Sequence, residues 1–350
     1  MTYEAGALMS GRVDADGIED AMEMCYSKGW TDGLPVVPPT EEKVMRFLEV
    51  ADRRASDVIG VEPVRGRVIT AEKVAINAVM AGCLPEYMPV VMAAVECMVQ
   101  PQYNLHGSSA STGGSAPLIV VNGPVRHRLG FASSHNIFGP GPDRRANATV
   151  GRAVRLLLIN VLENHPGILD RSTLGHPGKY TYCIAEDEEN SPWEPLHVER
   201  GFSPDSSTVT LFTSLGPTQM ESRPAGTAEA MLTGAIDSMM GFGHGHGELL
   251  LMVSQEHGGF FRAAGWDKAQ VREFVHQRAR RTAAEWAGVY KGEIPPAGSE
   301  NDMVPVLLRP ESLVLLAGGG PGGPWSCLVP RWSKGVGSHS VSREIDMRNL

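Results

Sequence analysis

The sequence lacks several features that would place it in a common functional class. Its apolar runs, such as Arg155–Leu162, are too short to cross a bilayer. The first residues show no basic stretch followed by an apolar one, so no secretory signal is expected. Basic residues number 31 against 40 acidic ones, a formal net charge of −9. Nucleic acids and anionic membranes bind clustered basic charge. We therefore expect a soluble, cytoplasmic protein with neither partner.

Cysteine is also scarce. The five cysteines show no Cys-x-x-Cys spacing, which argues against a disulfide scaffold or a zinc ribbon. No glycine-rich loop ends in Gly-Lys-Ser/Thr, and no Gly-x-Ser-x-Gly occurs. A nucleoside triphosphatase and a nucleophile elbow are therefore not expected. No nucleotide-cofactor motif is present, and a divalent metal remains open as a cofactor.

The composition that is present belongs to a folded protein with many shaped loops. The chain has 350 residues, 42% of them hydrophobic, enough for one large domain or two ordinary ones. Its 40 glycines and 25 prolines gather at the ends of apolar runs rather than in a low-complexity tract. Loops held on a rigid frame commonly carry function. The composition therefore favours an enzyme without indicating its reaction.

Helix-start signals alternate with short apolar runs along the chain. Thr40, Thr70 and Asp267 each precede a helical pattern and are predicted N-caps. Strands are predicted at the apolar runs 117–122, 180–185, 208–212, 248–254 and 313–317, and helices include 85–99, 147–162 and 227–240. This alternation predicts an α/β fold, with a mixed, mostly parallel sheet and helices on both of its faces. One arrangement of such a fold consists of two α/β lobes with a crevice between them.

The predicted organisation has three parts. Residues 1–16 carry little pattern and are expected to form a loose arm. An α/β lobe with a helical N-terminal part is predicted at 17–205, and a second α/β lobe at 206–350. The apolar helices at 90–99 and 150–162 fit either a core or a dimer seam. Homo-oligomerisation is expected because it is common among such enzymes.

Three apolar strands run directly into polar or glycine-rich loops, and these loops are the first candidates for a site. The strands are 118–122, 249–253 and 313–317. Ligands of open α/β sheets bind beyond the carboxyl ends of the strands. If the three strands are parallel neighbours, the following residues converge on one crevice: Arg126, His257, Ser326 and Cys327.

The densest polar segment, 176–201, offers acid–base groups. Glu194 or Glu199 would orient His197 as a general base, while Lys179 or Tyr180 would stabilise developing charge. Arg200 is a candidate for binding substrate. A solvated acidic loop with a structural His–Glu pair is the alternative. We expect the three consecutive carboxylates to be exposed to solvent rather than functional. They are Asp187, Glu188 and Glu189.

Two further loops suit an anionic group. The small residues and hydroxyls of 104–115 can form an anion cradle, although a flexible surface loop is nearly as good an interpretation. In the loop 133–147, an arginine at a helix start can clamp a carboxylate, against the alternative of an ordinary loop with Asn147 as N-cap. The substrate-binding candidates in these loops are His106, Ser108, Ser111, Thr112, Asn136, Arg144, Arg145 and Asn147.

Histidine pairs and a late cysteine give weaker signals. His244 and His246 alternate in an extended chain, a spacing known from metal sites, but glycines surround them and no third ligand is identifiable. A structural role is preferred for both. Ser326 and Cys327 follow a glycine run and are candidates for binding substrate. Cys327 as a nucleophile is the less favoured interpretation, because free cysteines are most often buried apolar residues.

Three stretches resemble a bacterial family close to the UGSC-motif (seleno)proteins. They are Trp30–Thr40, Ala75–Tyr87 and Pro192–Phe202, and the resemblance extends from about residue 30 to the C-terminus. The family label implies thiol-redox chemistry. This chain has no Gly-Ser-Cys arrangement, and Trp325-Ser326-Cys327 is its nearest counterpart, so that role does not carry over.

Together these patterns predict an enzyme acting on a small polar substrate, expected to carry a carboxylate. The reaction would be acid–base cleavage of a carbon–heteroatom bond, by hydrolysis or elimination, with His197 or His257 moving the proton. One alternative is a metal-dependent hydrolase or lyase with histidine ligands. Another is a non-catalytic protein that binds a small molecule.

Overall fold

The computed structural model describes residues 8–222, 226–289, 297–333 and 339–348. Its helices are α1 (Ile18–Ser27), α2 (Glu41–Val50), α3 (Ala71–Ala81), α4 (Met88–Met98), α5 (Leu105–Ser109), α6 (Val125–Arg128), α7 (Arg145–Asn160), α8 (Leu196–Glu199), α9 (Ala228–Met239), α10 (Gln255–Ala264), α11 (Lys268–Arg278) and α12 (Ala283–Val289). Its strands are β1 (Val58–Val61), β2 (Val68–Thr70), β3 (Ala116–Asn122), β4 (Cys183–Ala185), β5 (Thr208–Ser214), β6 (Thr218–Glu221), β7 (Leu249–Val253), β8 (Arg280–Thr282), β9 (Met303–Pro305), β10 (Leu313–Ala317), β11 (Trp325–Val329) and β12 (Val341–Glu344).

The predicted helix starts are confirmed. Thr40 and Thr70 accept backbone hydrogen bonds at the first turns of α2 and α3. Asp267 forms a reciprocal capping box with Gln270 at the start of α11. Local side-chain chemistry therefore determines where these helices begin. Among the described residues, no helix is long and apolar enough to cross a membrane.

Two four-stranded sheets form the centre of the molecule. The first has the order β12-β5-β3-β4 and the second the order β10-β7-β11-β6. In each, one parallel pair, β3 with β4 or β7 with β10, continues into antiparallel strands. Two small antiparallel pairs, β1 with β2 and β8 with β9, lie outside these sheets. The α/β class and the mixed pairing are confirmed, but each central sheet has more antiparallel than parallel pairs.

The two central sheets share a core. Leu118 and Val120 of β3 belong to the same apolar cluster as Leu250 and Met252 of β7. Alternate residues of the first sheet, such as Ile119, pack instead with α3, α4 and α7, and those of the second with α9, α10 and α11. The prediction placed helices on both faces of one sheet. In the structure, one face of each central sheet packs on helices and the other packs on its partner sheet, because both faces of these strands are apolar.

The two sheets repeat one pattern of pairing. Val121 opposes Ala185 and Val209 in the first sheet, just as Val253 opposes Ala317 and Ser326 in the second. The strand order is also the same, since an antiparallel edge strand, β12 or β6, lies beside β5 or β11. The chain therefore contains two halves built on one plan.

The edge strands are exchanged between the halves. β6 follows β5 along the chain but pairs with β11 of the second sheet. β12 follows β11 but returns to pair with β5 of the first sheet. The predicted lobes 17–205 and 206–350 stay a prediction, and both β5 and β12 of the first sheet lie beyond residue 205.

The described part of the predicted arm and the two long apolar helices contact the rest of the chain. In the arm, residues 1–7 lie outside the described part, while the backbone N–H groups of Met9 and Ser10 donate to the Glu72 carboxylate. The apolar residues of α4 and α7 are largely buried in the core of this chain. Homo-oligomerisation stays a prediction.

The exchange of edge strands predicts that the two sheets unfold together. Leu211 of β5 and Leu328 of β11 occupy equivalent positions, and both are fully buried. We expect L211A and L328A each to lower the free energy of unfolding by about 2–5 kcal/mol. Both should shift one common transition in circular dichroism and tryptophan fluorescence. Two separate transitions, each moved by only one variant, would contradict this linkage.

Candidate active site

A cavity of about 260 Å³ opens at the carboxyl ends of β7 and β10. Its wall combines the loop His135–Phe138 with Ser254, Ser326 and the glycines of the loop 318–323. Ligand pockets commonly measure about 300–1,000 Å³, so this one suits a small ligand. It also lies where α/β sheets usually bind ligands. A second space, lined by Ser108 and Lys179, measures only about 20 Å³, close to the size of one water.

Ser326, which lines the cavity, contacts a buried histidine, His257, which is not itself a lining residue. Ser326 Oγ lies 2.7 Å from His257 Nδ1, which suits a hydroxyl donating to an unprotonated ring nitrogen. The backbone N–H of Ser254 points to the same oxygen at 3.5 Å. The pair follows from the topology, because β11 lies beside β7 and α10 begins where β7 ends. Of the four residues predicted to converge on one crevice, the structure places His257, Ser326 and Cys327 together, whereas Arg126 lies elsewhere.

The environment of His257 favours its neutral form. The side chain is fully buried, and burial lowers the pKa of His257 below its usual value of 6.5. The Ser222 backbone and the Glu256 carboxylate oppose this shift. Nε2 makes no well-formed hydrogen bond within the described residues. A neutral imidazole beside a hydroxyl is able to accept its proton.

The glycine loop supplies unused backbone donors. Among the hydrogen bonds of the described residues, the N–H groups of Gly320, Gly322 and Gly323 donate to no protein acceptor, whereas that of Gly319 donates to the Ser133 carbonyl. Gly320 also packs tightly on His135: a Cβ there would lie 2.3 Å from the ring. Donors of this kind can stabilise an oxyanion.

Cys327 and Gln219 complete the polar wall of the cavity. The Cys327 thiol is buried, and burial raises its pKa to about 12. It therefore stays protonated near neutral pH, which argues against the nucleophile interpretation. The sequence analysis missed Gln219, because its place in the wall depends on the pairing of β6 with β11.

A second buried polar cluster lies at the carboxyl ends of β3 and β4. Glu186 is fully buried, and burial raises its pKa to about 7. Asn122 donates from Nδ2 to Glu186 at 2.6 Å and to Glu188 at 2.9 Å. Arg126 bridges Glu188 and Glu189, each at 2.8 Å. Arg126 was expected at the crevice with His257, but it lies on α6, beyond the end of β3 in the first sheet, and is paired with these carboxylates.

The solvated interpretation of the acidic run is wrong for its first two residues. Asp187 is 3% exposed and accepts hydrogen bonds from Asn190 and Gln255. Its backbone N–H donates to the Ala317 carbonyl at 2.9 Å, which connects this cluster to the end of β10 beside the cavity. The Glu188 side chain is 13% exposed, and only that of Glu189 is half exposed. Glu186 and Asn122 were missed, because their burial depends on the sheets packing together.

The predicted acid–base residues of 176–201 do not line the cavity. Glu194 is exposed and makes no hydrogen bond among the described residues. Glu199 pairs with Lys268 at 2.5 Å and with Arg272, which ties α8 to α11. Arg200 donates to the hydroxyls of Ser340 and Ser342.

His197, Lys179 and Tyr180 are also placed away from the cavity. His197 is buried, with Nδ1 3.8 Å from Glu188 and Nε2 3.4 Å from the Pro204 carbonyl. Lys179 pairs with Asp170 at 2.6 Å, and Tyr180 is 51% exposed. Lys179 and Tyr180 precede β4, whereas the cavity lies beyond the carboxyl ends of β7 and β10. The structure brings none of the three to Ser326.

The loop 104–115 lies at the opposite end of β3 from Asn122. His106 is 3.6 Å from Glu62, and Ser108 donates to the Leu105 carbonyl. Ser111 accepts a hydrogen bond from the Trp332 indole, and Thr112 is exposed. The loop is thus held by internal contacts and does not reach the cavity.

The loop 133–147 contributes to the cavity through its first half. Asn136 lines it, while Arg144 donates to the His135 carbonyl at 2.6 Å and thereby holds the cavity loop. Arg145 donates to the Gly82 carbonyl. The Asn147 side chain accepts a hydrogen bond from the Ala132 N–H and donates one to the Ala132 carbonyl. Asn147 is not the N-cap, since α7 begins at Arg145.

His244 and His246, for which a structural role was preferred over metal binding, differ in their surroundings. His244 is buried with its ring 5.7 Å from that of Trp286, while His246 is exposed. In the part of the chain that the structure describes, no three His, Cys, Asp or Glu residues form a group suited to a metal ion. Comparisons with protein-family models, curated proteins and solved structures find no match for this chain. The family resemblance therefore stays an expectation.

Two glycines of the cavity loop allow a matched test of its packing. In G320A the new methyl group must displace His135, which we expect to cost about 1–3 kcal/mol of stability. In G322A the nearest atom lies 3.7 Å from the new Cβ, so the change should stay within about 0.5 kcal/mol. Urea denaturation measures both, and the His135 ring resonances should move only in G320A. Equal effects of the two variants would contradict this packing.

Proposed function

We propose that the protein hydrolyses small acyl compounds (esters, thioesters or amides) with Ser326 as nucleophile and His257 as general base. The observation that carries the proposal is the 2.7 Å contact between Ser326 Oγ and His257 Nδ1, because Ser326 is one of the residues that line the cavity. A serine is a weak nucleophile unless a neighbouring base takes its proton. Here that base is buried, and burial favours its neutral form.

The proposed reaction has two steps, acylation of Ser326 and then hydrolysis of the acyl–serine ester. Ser326 Oγ attacks the acyl carbon while its proton passes to His257, and the carbonyl oxygen becomes an oxyanion facing the N–H groups of Gly320, Gly322 and Gly323. The intermediate collapses, and the leaving alcohol, thiol or amine takes the proton from His257. Water, deprotonated by the same ring, then attacks the acyl–serine ester. This step releases the acid and restores the serine.

The lining of the cavity indicates the kind of acyl group. Neutral side chains such as Asn136, Gln219 and Met252 surround it, and no Arg or Lys of the described chain is among them. A carboxylate on the substrate would have to bind backbone N–H groups rather than the predicted arginines. The cavity therefore fits a small neutral acyl group better than an anionic one.

A second candidate is a protein that binds a small molecule without converting it. The burial of Ser326, which is 5% exposed, favours this alternative, because a nucleophile must be reached by its substrate. Binding without covalent reaction at Ser326 would distinguish it from the hydrolase.

A fluorophosphonate probe tests the proposed nucleophile. Such a probe phosphonylates an activated serine, and we expect one adduct per chain on the peptide that contains Ser326. S326A should lose it, and H257Q should slow labelling and ester hydrolysis by about 10³-fold or more. E194Q is the matched control, because Glu194 is exposed and makes no contact, and it should react like the wild type. A folded wild-type protein that no such probe labels would contradict the proposal.

The pH dependence tests the base. His257 must be neutral to accept the Ser326 proton, and burial lowers its pKa below 6.5. The labelling rate should therefore fall to half of its plateau only at a pH below 6.5, because the ring gains its proton there. Rates measured across this range on the wild type locate the midpoint. A midpoint at or above 6.5 would show that another group controls the reaction.

A further inference from the structure

Three polar side chains form a row across the first sheet, away from the proposed catalytic pair. Glu186 follows β4, Asn122 ends β3, and Thr208 begins β5 directly opposite Asn122. Residues that alternate along a strand share a face. Asn122 and Thr208 therefore lie on the same face as Val120 and Phe212, which face the second sheet. We call Glu186, Asn122 and Thr208 the polar row.

Each member of the polar row is completely buried and has one oxygen without a hydrogen-bond partner among the described residues. These atoms are Glu186 Oε1, Asn122 Oδ1 and Thr208 Oγ1. The two N–H groups of the Asn122 amide are already used on Glu186 and Glu188. Buried polar atoms are nearly always paired, so three orphaned oxygens in one row indicate a missing partner.

The charge of the row is also uncompensated. Arg126 forms ion pairs with Glu188 and Glu189, but Glu186 has no ion-pair partner within the described chain. Lys268 and Arg126 attract the Glu186 carboxylate only at longer range, and both are paired with other carboxylates. A buried carboxylate needs a counter-charge. When Glu186 is ionised, one negative charge and three unpaired oxygens remain to be satisfied.

We propose that Glu186, Asn122 and Thr208 bind an alkali-metal cation, Na⁺ or K⁺. Carboxylate, amide and hydroxyl oxygens are hard ligands, which suit hard cations. The single uncompensated carboxylate matches one positive charge, and this favours a monovalent ion over Mg²⁺ or Ca²⁺. Transition-metal ions usually bind several Cys, His, Asp or Glu side chains, and Glu186 is the only such residue in the polar row.

The cation would stabilise the carboxyl ends of the first sheet. Asp187 follows Glu186 directly, and its N–H donates to the Ala317 carbonyl at the end of β10. Gly318, the next residue, lines the cavity. The proposal does not depend on the reaction proposed for Ser326. A buried water is the competing occupant, although its two protons cannot compensate the charge of Glu186.

Thermal unfolding of the whole protein in different chloride salts tests the proposal. The protein is freed of Na⁺ and K⁺ by dialysis into tetramethylammonium chloride, whose cation is too large for the row. Titration with NaCl or KCl at constant ionic strength should raise Tm by a few degrees in a saturable manner. Equal Tm values in all three salts would overturn the proposal in favour of water. A response to MgCl₂ or CaCl₂ alone would overturn the monovalent assignment.

Variants assign the response to the polar row. E186Q removes the charge at constant shape and should abolish the salt-specific rise in Tm, while E189Q is the matched control and should keep it. T208V is a second variant of nearly the same shape and should weaken the apparent affinity about tenfold. The wild-type comparison remains decisive if E186Q does not fold. A rise in Tm that persists in both E186Q and T208V would place the cation elsewhere.

Discussion

The exchange of edge strands is the constraint on which the rest of the structure depends. β6 completes the second sheet, whose strands all lie within residues 218–329, and β12 returns from the end of the chain to complete the first sheet. Their facing sides share a core through residues such as Val120 and Met252. An open edge would expose unpaired backbone groups, and the exchange covers one edge of each sheet. β6 covers one edge of β11, and the other edge of β11 pairs with β7, which brings Ser326 to His257.

Local signals in the sequence predicted the elements well, but not the way in which they pair. Thr40, Thr70 and Asp267 cap helices as expected, because capping needs only neighbouring residues. The apolar strands were also recognisable from their composition. The sheets could not be predicted, since a strand covered by helices and one covered by a second sheet carry the same apolar pattern.

The same limit explains which site residues were found. His257 and Ser326 were identified because each lies beside the end of an apolar strand. Glu199, Arg200 and Lys179 were chosen for their residue types, and in the structure each is held in ion pairs or hydrogen bonds that connect distant elements. Glu186 was missed because its burial arises from contacts that are distant in sequence.

The two halves carry different chemistry at equivalent positions. Glu186 and Asp187 follow Ala185 in the first half, whereas Gly318 and Gly319 follow Ala317 in the second. Carboxylate side chains occupy the space at the end of β4, whereas the glycines after β10 have no side chains and the cavity lies there. One structural plan thus provides a rigid polar cluster and a space for a ligand.

A crystal structure of the protein after reaction with a fluorophosphonate would test the central claim most directly. The account predicts phosphorus bonded to Ser326 Oγ, with the phosphoryl oxygen facing the N–H groups of the glycine loop and His257 within hydrogen-bond distance. A phosphonate bonded to another residue, or an unmodified Ser326 beside an accessible cavity, would contradict it.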